Sequence, residues 1–475
     1  MDSNGLKQIV FYTRPWQVDF HIKLALHLQE NLTDIPVRFV TFFSLAKEKA
    51  EKAGYPCVYM PEELHRVSGM EIPEERFIEI DQMLYETQGA NFNLLLQSER
   101  FLPSDGKEAF IFGRKHLVVL DRIITEGTLS VSSMYDHFFY WLAGALANAR
   151  GGAHFAFVGC GLPPGRVLAL RTPWETWQAP FEGDAAAMLE ECRRLLHVPA
   201  EKRIEYMKPQ SIPPLRKRLA VRFYERLCDE KDRRAGSYFP SPKLISLQTL
   251  KNRLPQKWFL HPVPRYDINS EDDLKTVTCP TAYIPLHMEP EATILMYSPW
   301  LRDQIEMCRL VSQALPVNWK LLVKENPKMQ GMRSLAYYRR LKAVPNVLLV
   351  SPVVDSTRLI LFAQTTVTLA GTASNEAAVL GKPSIALGRP PGIALLNTGD
   401  IGSRLRLEYL FDKILEQNYK LDMDEWKRWL SGSFPGKQAP VFNKDAFFCT
   451  PDDDVNIISF GNFILKALKN DNRCF

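Results

Sequence analysis

The stretch VTLAGTASNEAAVLGKPSIAL, residues 367–387, carries the pattern on which the fold is read. A β-rich run ends at Gly371, a stretch with helical spacing covers 374–380, and a second β-rich run covers 384–387. Toward the N-terminus the same alternation continues, with strands expected at 282–285, 319–323, 347–350 and 366–369 and helices at 301–315, 332–343 and 357–363. Alternation this regular predicts a parallel sheet covered on both faces by helices, with ligands outside the carboxyl ends of its strands. A looser version opens the chain. Residues 8–12, 37–43, 117–120 and 154–158 read as strands, and 19–29 and 136–147 read as helices.

A chain of 475 residues is too long for one hydrophobic core. We expect an N-terminal α/β domain over 1–200, a connector over 201–275, a second α/β domain over 276–402 and a helical segment over 403–475 that packs across both. Apolar residues at 46% and charged residues at 24% describe an ordinary folded protein. A net charge of +5 does not call for nucleic acid. The basic residues concentrate in the connector, where a solvated helix face is the simpler reading and a surface resting on anionic lipid the sharper one. The eight cysteines form no CxxC pair and read as reduced thiols. With no signal-peptide pattern at the start and no apolar run long enough to span a bilayer, the protein is expected in the cytoplasm, touching a membrane only at its surface.

Three strand-end loops of the second domain hold the chemistry-bearing residues. His287, Glu289 and Glu291 follow the strand at 282–285, and an imidazole beside carboxylates can bind ribose hydroxyls, a phosphate or an acceptor hydroxyl. Lys324 and Asn326 follow the next strand in a Pro-containing turn, where a fixed cation can neutralise phosphate charge. Gly371, Thr372, Ser374 and Glu376 open a helix. The glycine allows close backbone approach, and the hydroxyls are placed to cap the helix and meet a phosphate.

The order LHMEPE (286–291), KENP (324–327), NVLLVSP (346–352) and GTASNEAAVLGKP (371–383) resembles the capsular polysaccharide synthesis family, over about a quarter of the chain. That family's pattern is LHxQPE, KEHP, NVxLVSP and GTxxxEAxxxGKP. This chain departs from it at Glu289, where the family has glutamine, and at Asn326, where the family has a histidine that contacts the donor phosphate in related transferases. The resemblance implies a GT-B-like fold, two Rossmann-like doubly wound domains facing a central cleft, followed by C-terminal helices. It also implies a glycosyltransferase that moves a sugar from a nucleotide-sugar donor, a CMP-activated Kdo-type or other acidic sugar, to a polysaccharide or glycolipid acceptor. No separate cofactor is expected beyond that donor substrate. A UDP-sugar or CDP-polyol transferase, a sugar-nucleotide epimerase and a non-catalytic glycan-assembly subunit are the alternatives.

The first domain is expected to supply the base or nucleophile. Candidates are Asp136 and His137, at the start of an aromatic helix, and Glu126, after the apolar run ending at 125. Helix capping accounts for Asp136 equally well. Arg14, after the first strand, is a candidate for an acidic sugar. A metal is not expected, because the acidic clusters at 422–424 and 452–454 read as helix caps and a GT-B site uses dipoles and basic side chains.

Overall fold

The computed structural model describes residues 5–70, 72–99, 102, 105–132, 135–198, 264–289, 292–329, 333–392, 404–416, 419–436, 441–443, 446–449 and 453–471. The basic stretch of the connector, together with Glu291, lies outside the described residues. The chain divides into two compact units, the first built from described residues up to 182 and from 430 onward, the second from 183–198 and 264–429. The C-terminal segment is therefore shared, its helix Arg404–Glu416 belonging to the second unit and its helix Asp454–Asn470 to the first.

The strands of the two main sheets are β1 (Gln8–Tyr12), β2 (Val37–Thr41), β3 (Cys57–Tyr59), β4 (Thr128–Ser132), β5 (Ala153–Gly159), β6 (Arg166–Leu170), β7 (Thr281–Pro285), β8 (Lys320–Lys324), β9 (Val347–Val350), β10 (Thr365–Thr368), β11 (Ser384–Ala386) and β12 (Ser433–Pro435). The first unit holds a seven-stranded sheet in the order β12-β6-β5-β4-β1-β2-β3. Strands β1 to β5 run parallel; at one side β6 pairs antiparallel to β5, and β12 pairs antiparallel to β6. The second unit holds a wholly parallel five-stranded sheet, β11-β10-β7-β8-β9. Two Rossmann-like α/β units are thus the observed fold class.

Alternation of side chains explains why the second sheet needs helices on both faces. Ala282, Ile284, Leu321 and Val323 point into one core with the helices Gln304–Ala314 and Arg404–Glu416, while Tyr283 and Leu322 point into another with the helix Ser356–Phe362. All five of its expected strands are present. Its helices begin where polar caps place them rather than at the first apolar residue. Asp303 accepts from the Ile305 amide at 2.8 Å and Asp355 from the Thr357 amide at 2.7 Å. Asp422 and Asp453 likewise accept from helix-start amides, at 2.8 Å from Asp424 and 2.9 Å from Asn456.

The first unit corrects one reading. Residues 117–120 are not a strand but part of the helix Gly106–Ile123, capped by Asp105 and buried on one side at Ala109, Gly113, His116, Leu117, Leu120 and Ile123 and, toward its end, at Val118 and Val119 as well. That spacing is helical, and it overrides the β character of the Leu-Val-Val-Leu run. The true central strand is β4, the hydroxyl-rich TLSVS, buried at every position.

Candidate functional site

In each sheet the first strand of the unit has later strands on both sides, so the strand order reverses beside it. That creates a crevice at the carboxyl ends of β7 and β10 in the second unit, and of β1 and β4 in the first. Both crevices are polar.

In the second unit, His287 leaves the end of β7 and meets Thr368, the last residue of β10, with Nε2 to Oγ1 at 3.2 Å. The Thr368 hydroxyl also accepts from the Gly371 amide at 3.0 Å. A Cβ on Gly371 would lie 2.9 Å from Thr368 Oγ1 and 3.1 Å from His287 Cε1. The glycine therefore leaves room for the Thr368 hydroxyl first and for the imidazole beside it. The first and third expected loops join here.

Sequence reasoning missed what fixes His287. Gln304, fully buried, accepts from its amide at 2.7 Å and donates to its carbonyl at 3.2 Å and to Glu289 Oε1 at 2.6 Å. Arg333, also buried, donates to the same carbonyl, lies 3.7 Å from both Glu289 and Glu325, and stacks over Tyr337. Neither residue stands in a motif. Gln304 occupies the first turn of a helix whose interior spacing is apolar, so a buried glutamine there was the available signal.

Lys324 ends β8, buried, and donates to Ser356 Oγ at 2.7 Å. Burial pulls its ammonium down to about 8, against the opposing pull of the Asp355 and Glu376 carboxylates. A lysine in that state sheds part of its charge near neutral pH and regains it beside an anion. Glu325 is structural: it accepts from Tyr338 at 2.7 Å and from the Asn326 amide at 2.6 Å, anchoring the turn that carries Asn326. The hydroxyl roles differ from expectation. Thr372 makes no side-chain cap and donates to Glu376 Oε1 at 3.2 Å, and Ser374 donates to the Gly371 carbonyl at 2.8 Å.

In the first unit, Arg14 follows β1 and Asp136 follows β4. They form a two-point ion pair, Nη1 to Oδ2 at 2.9 Å and Nη2 to Oδ1 at 2.6 Å, and Arg14 Nε donates to the Tyr140 hydroxyl at 3.0 Å. Burial opposes the Arg14 charge, yet Asp136 and the Tyr140 hydroxyl together outweigh it and hold the guanidinium proton more tightly than usual. Burial pushes the Tyr140 phenol up. Asp136 does not serve as the helix cap. The Phe138 amide donates instead to Glu99 Oε2 at 3.1 Å, and the same carboxylate faces His137 Nδ1 at 3.2 and 3.3 Å. Glu99, unmarked by any motif, is the residue missed here. Glu126 falls apart from this group. It precedes β4, at the opposite edge of the sheet, exposed and paired with Lys7.

Among the described residues, no group of three His, Cys, Asp or Glu side chains is arranged to hold a metal, and no helix is long and apolar enough to cross a membrane. No family model matches the chain, and no curated protein matches it. Solved structures overlay on it weakly. A beta Kdo 2,7 transferase, KpsC, from Thermosulfurimonas dismutans is 14% identical, with 76% of this chain and 91% of that one covered and a TM-score of 0.30. Anabaena Alr3699/HepE, in complex with UDP and glucose, is 11% identical over 98% and 100%, with a TM-score of 0.25. The UDP-GlcNAc 2-epimerase of Neisseria meningitidis, bound to UDP-GlcNAc, is 13% identical over 98% and 100%, with a TM-score of 0.22. Scores this low assign neither fold nor activity to this chain.

Proposed function

We propose that the protein is an enzyme acting on a nucleotide sugar, the second unit holding the nucleotide and the first supplying acid–base groups. One observation carries the reading: the imidazole of His287, the Thr368 hydroxyl and the Gly371 amide meet at the switch point of a parallel sheet. Lys324, at the end of the adjacent strand β8, adds a cation for the phosphate. Glu376, bonded to Thr372 on the same loop, is the carboxylate for ribose hydroxyls.

Within that class, the loop motifs favour transfer of a CMP-activated Kdo-type or other acidic sugar to a polysaccharide or glycolipid. The second reading is epimerisation of a UDP-sugar. It is favoured by the Gly371-to-Glu376 segment, which suits an epimerase equally, and by acid–base groups that need no acceptor. CMP, UDP and CDP are each titrated into the purified protein while the thermal midpoint is followed; the true nucleotide raises it in a concentration-dependent way. Turnover of the matching sugar donor without acceptor selects the epimerase, and strict dependence on an added glycan selects the transferase. No shift with any of the three nucleotides overturns the proposal.

A further inference from the structure

Trp300 is 49% exposed, at the end of a run, 296–299, that is buried. Single exposed apolar residues are ordinary, so what matters here is how the ring is held and where. Its Nε1 donates to the Leu387 carbonyl at 3.2 Å. The Leu387 amide donates in turn to the Thr368 carbonyl at 2.8 Å, and the Thr368 hydroxyl is the one that meets His287 and the Gly371 amide. Two more backbone bonds close the same edge, from the Gly388 amide to the Leu369 carbonyl at 2.8 Å and from the Arg389 amide to the Tyr297 carbonyl at 2.7 Å. The Arg389 guanidinium carbon stands 5.8 Å from the ring centroid, within attraction of the indole π-face. Farther along the same loop, Gln304 holds the His287 backbone. The ring is thus fixed beside the crevice, on its β11 side.

The nucleoside belongs on the other side. In the order β11-β10-β7-β8-β9, Lys324 ends β8, and beside burial the Asp355 and Glu376 carboxylates act on its ammonium. The same two carboxylates reach the buried Tyr283 phenol of β7. The carboxylate for ribose and the cation for phosphate therefore lie toward β7 and β8. With phosphate at His287 and Gly371, the group on its far side extends toward β10 and β11, where Trp300 stands. We infer that the indole of Trp300 is the platform for the sugar ring of the donor, an inference that rests on the nucleotide-sugar reading above. A sugar ring carries a face of C–H groups, which buries against an aromatic face and meets its negative π-cloud with positive hydrogens. Because Nε1–H is already given to Leu387, the indole offers the sugar a face and no donor. Its tether also removes rotamer freedom that stacking would otherwise cost.

Isothermal titration of the full chain compares CMP with CMP-N-acetylneuraminate, and UDP with UDP-N-acetylglucosamine, in the wild type, Trp300→Ala and Trp300→Phe. Trp300→Ala is expected to bind the nucleotide sugar about five- to tenfold more weakly, the lower part of the range for a ring stacked on an aromatic side chain, with affinity for the matching free nucleotide within about twofold of the wild type. Trp300→Phe keeps a ring and is expected to recover most of that loss. The part of the tryptophan fluorescence that Trp300→Phe removes gives a second measurement, made on the wild type and independent of whether Trp300→Ala folds. The nucleotide sugar is expected to shield it from acrylamide quenching, and the free nucleotide to leave it open. A loss equal for nucleotide and nucleotide sugar, no loss for either, or a Trp300 signal that the nucleotide sugar leaves open to acrylamide overturns the inference while nucleotide binding stands. A wild type that binds none of the four compounds overturns the proposed function, and the inference falls with it.

Discussion

Lys324 offers a quantitative test of nucleotide binding, because its ammonium titrates near 8 in the free protein. An anion placed against it favours the charged form, so affinity follows the protonated fraction of the free lysine. At about pH 7 roughly nine-tenths of Lys324 is charged and at about pH 9 roughly one-tenth, a tenfold loss of affinity or about 1.4 kcal/mol. The second ionisation of a nucleotide phosphate, at a pKa of about 6, is complete above neutrality and adds little to this slope. Isothermal titration of CMP and UDP at several pH values from 7 to above 9 measures it, and buffers of different ionisation enthalpy report the proton taken up. In Lys324→Arg the cation never discharges, so affinity becomes flat with pH. Lys324→Met is expected to weaken binding by about 1.5–3 kcal/mol at neutral pH, the range for a hydrogen bond to a charged group. Nucleotide affinity independent of pH in the wild type, or an equal slope in Lys324→Arg, refutes the placement of phosphate at this strand end.

The buried Arg14–Asp136 pair is expected to make Arg14→Met cost about 3–5 kcal/mol by urea unfolding, because a carboxylate is left without its partner, while the double variant Arg14→Met/Asp136→Leu recovers most of that loss. His21, His116 and His154 are buried and held neutral, with pKa values down to about 3, 4 and 3. The unfolded chain binds protons that the folded one refuses, so stability is constant above the ordinary histidine range and falls with pH below it. The loss is about 1.4 kcal/mol per histidine at about pH 5.5, or about 4 kcal/mol for the three, read from urea midpoints at neutral and acid pH. Gly371→Ala sets a methyl group against Thr368 and His287, and a loss of nucleotide affinity of about tenfold, with stability lowered by about 1–3 kcal/mol from overpacking, is expected from titration of CMP or UDP and from urea unfolding.

The second unit was legible because its strands are buried on both faces and announce themselves as continuous apolar runs between helical patterns. Its loops were legible because glycine, proline and capping residues punctuate the strand ends. What held the loops in place was not. Gln304 and Arg333 lie 17 and 46 residues from His287, and their bonds to its backbone follow from tertiary proximity that no local pattern encodes. The capping role expected of Thr372 was misread for a related reason: its hydroxyl finds Glu376 one turn along, a contact the sequence allows as readily as a cap.

In the first unit the mistake had a single physical source. Reading 117–120 as a strand placed Glu126 at a strand's carboxyl end, where α/β sites form, when it lies just before β4 at the other edge. With β4 in its observed place the same rule selects different residues. Strand β1 is flanked by β4 on one side and β2 on the other, so the reversal falls between β1 and β4, and the residues leaving those two strands are Arg14 on one side and Asp136 and His137 on the other. The second unit repeats the arrangement, with β7 flanked by β10 and β8 and His287 meeting the Thr368–Gly371 turn. Two sheets of different strand number thus place buried polar groups at the one edge position where their chain order reverses. Burying an arginine, an aspartate, a histidine and a glutamate together is costly compared with an apolar filling. Stability alone gives no reason to keep such a group at that edge, and a substrate site does.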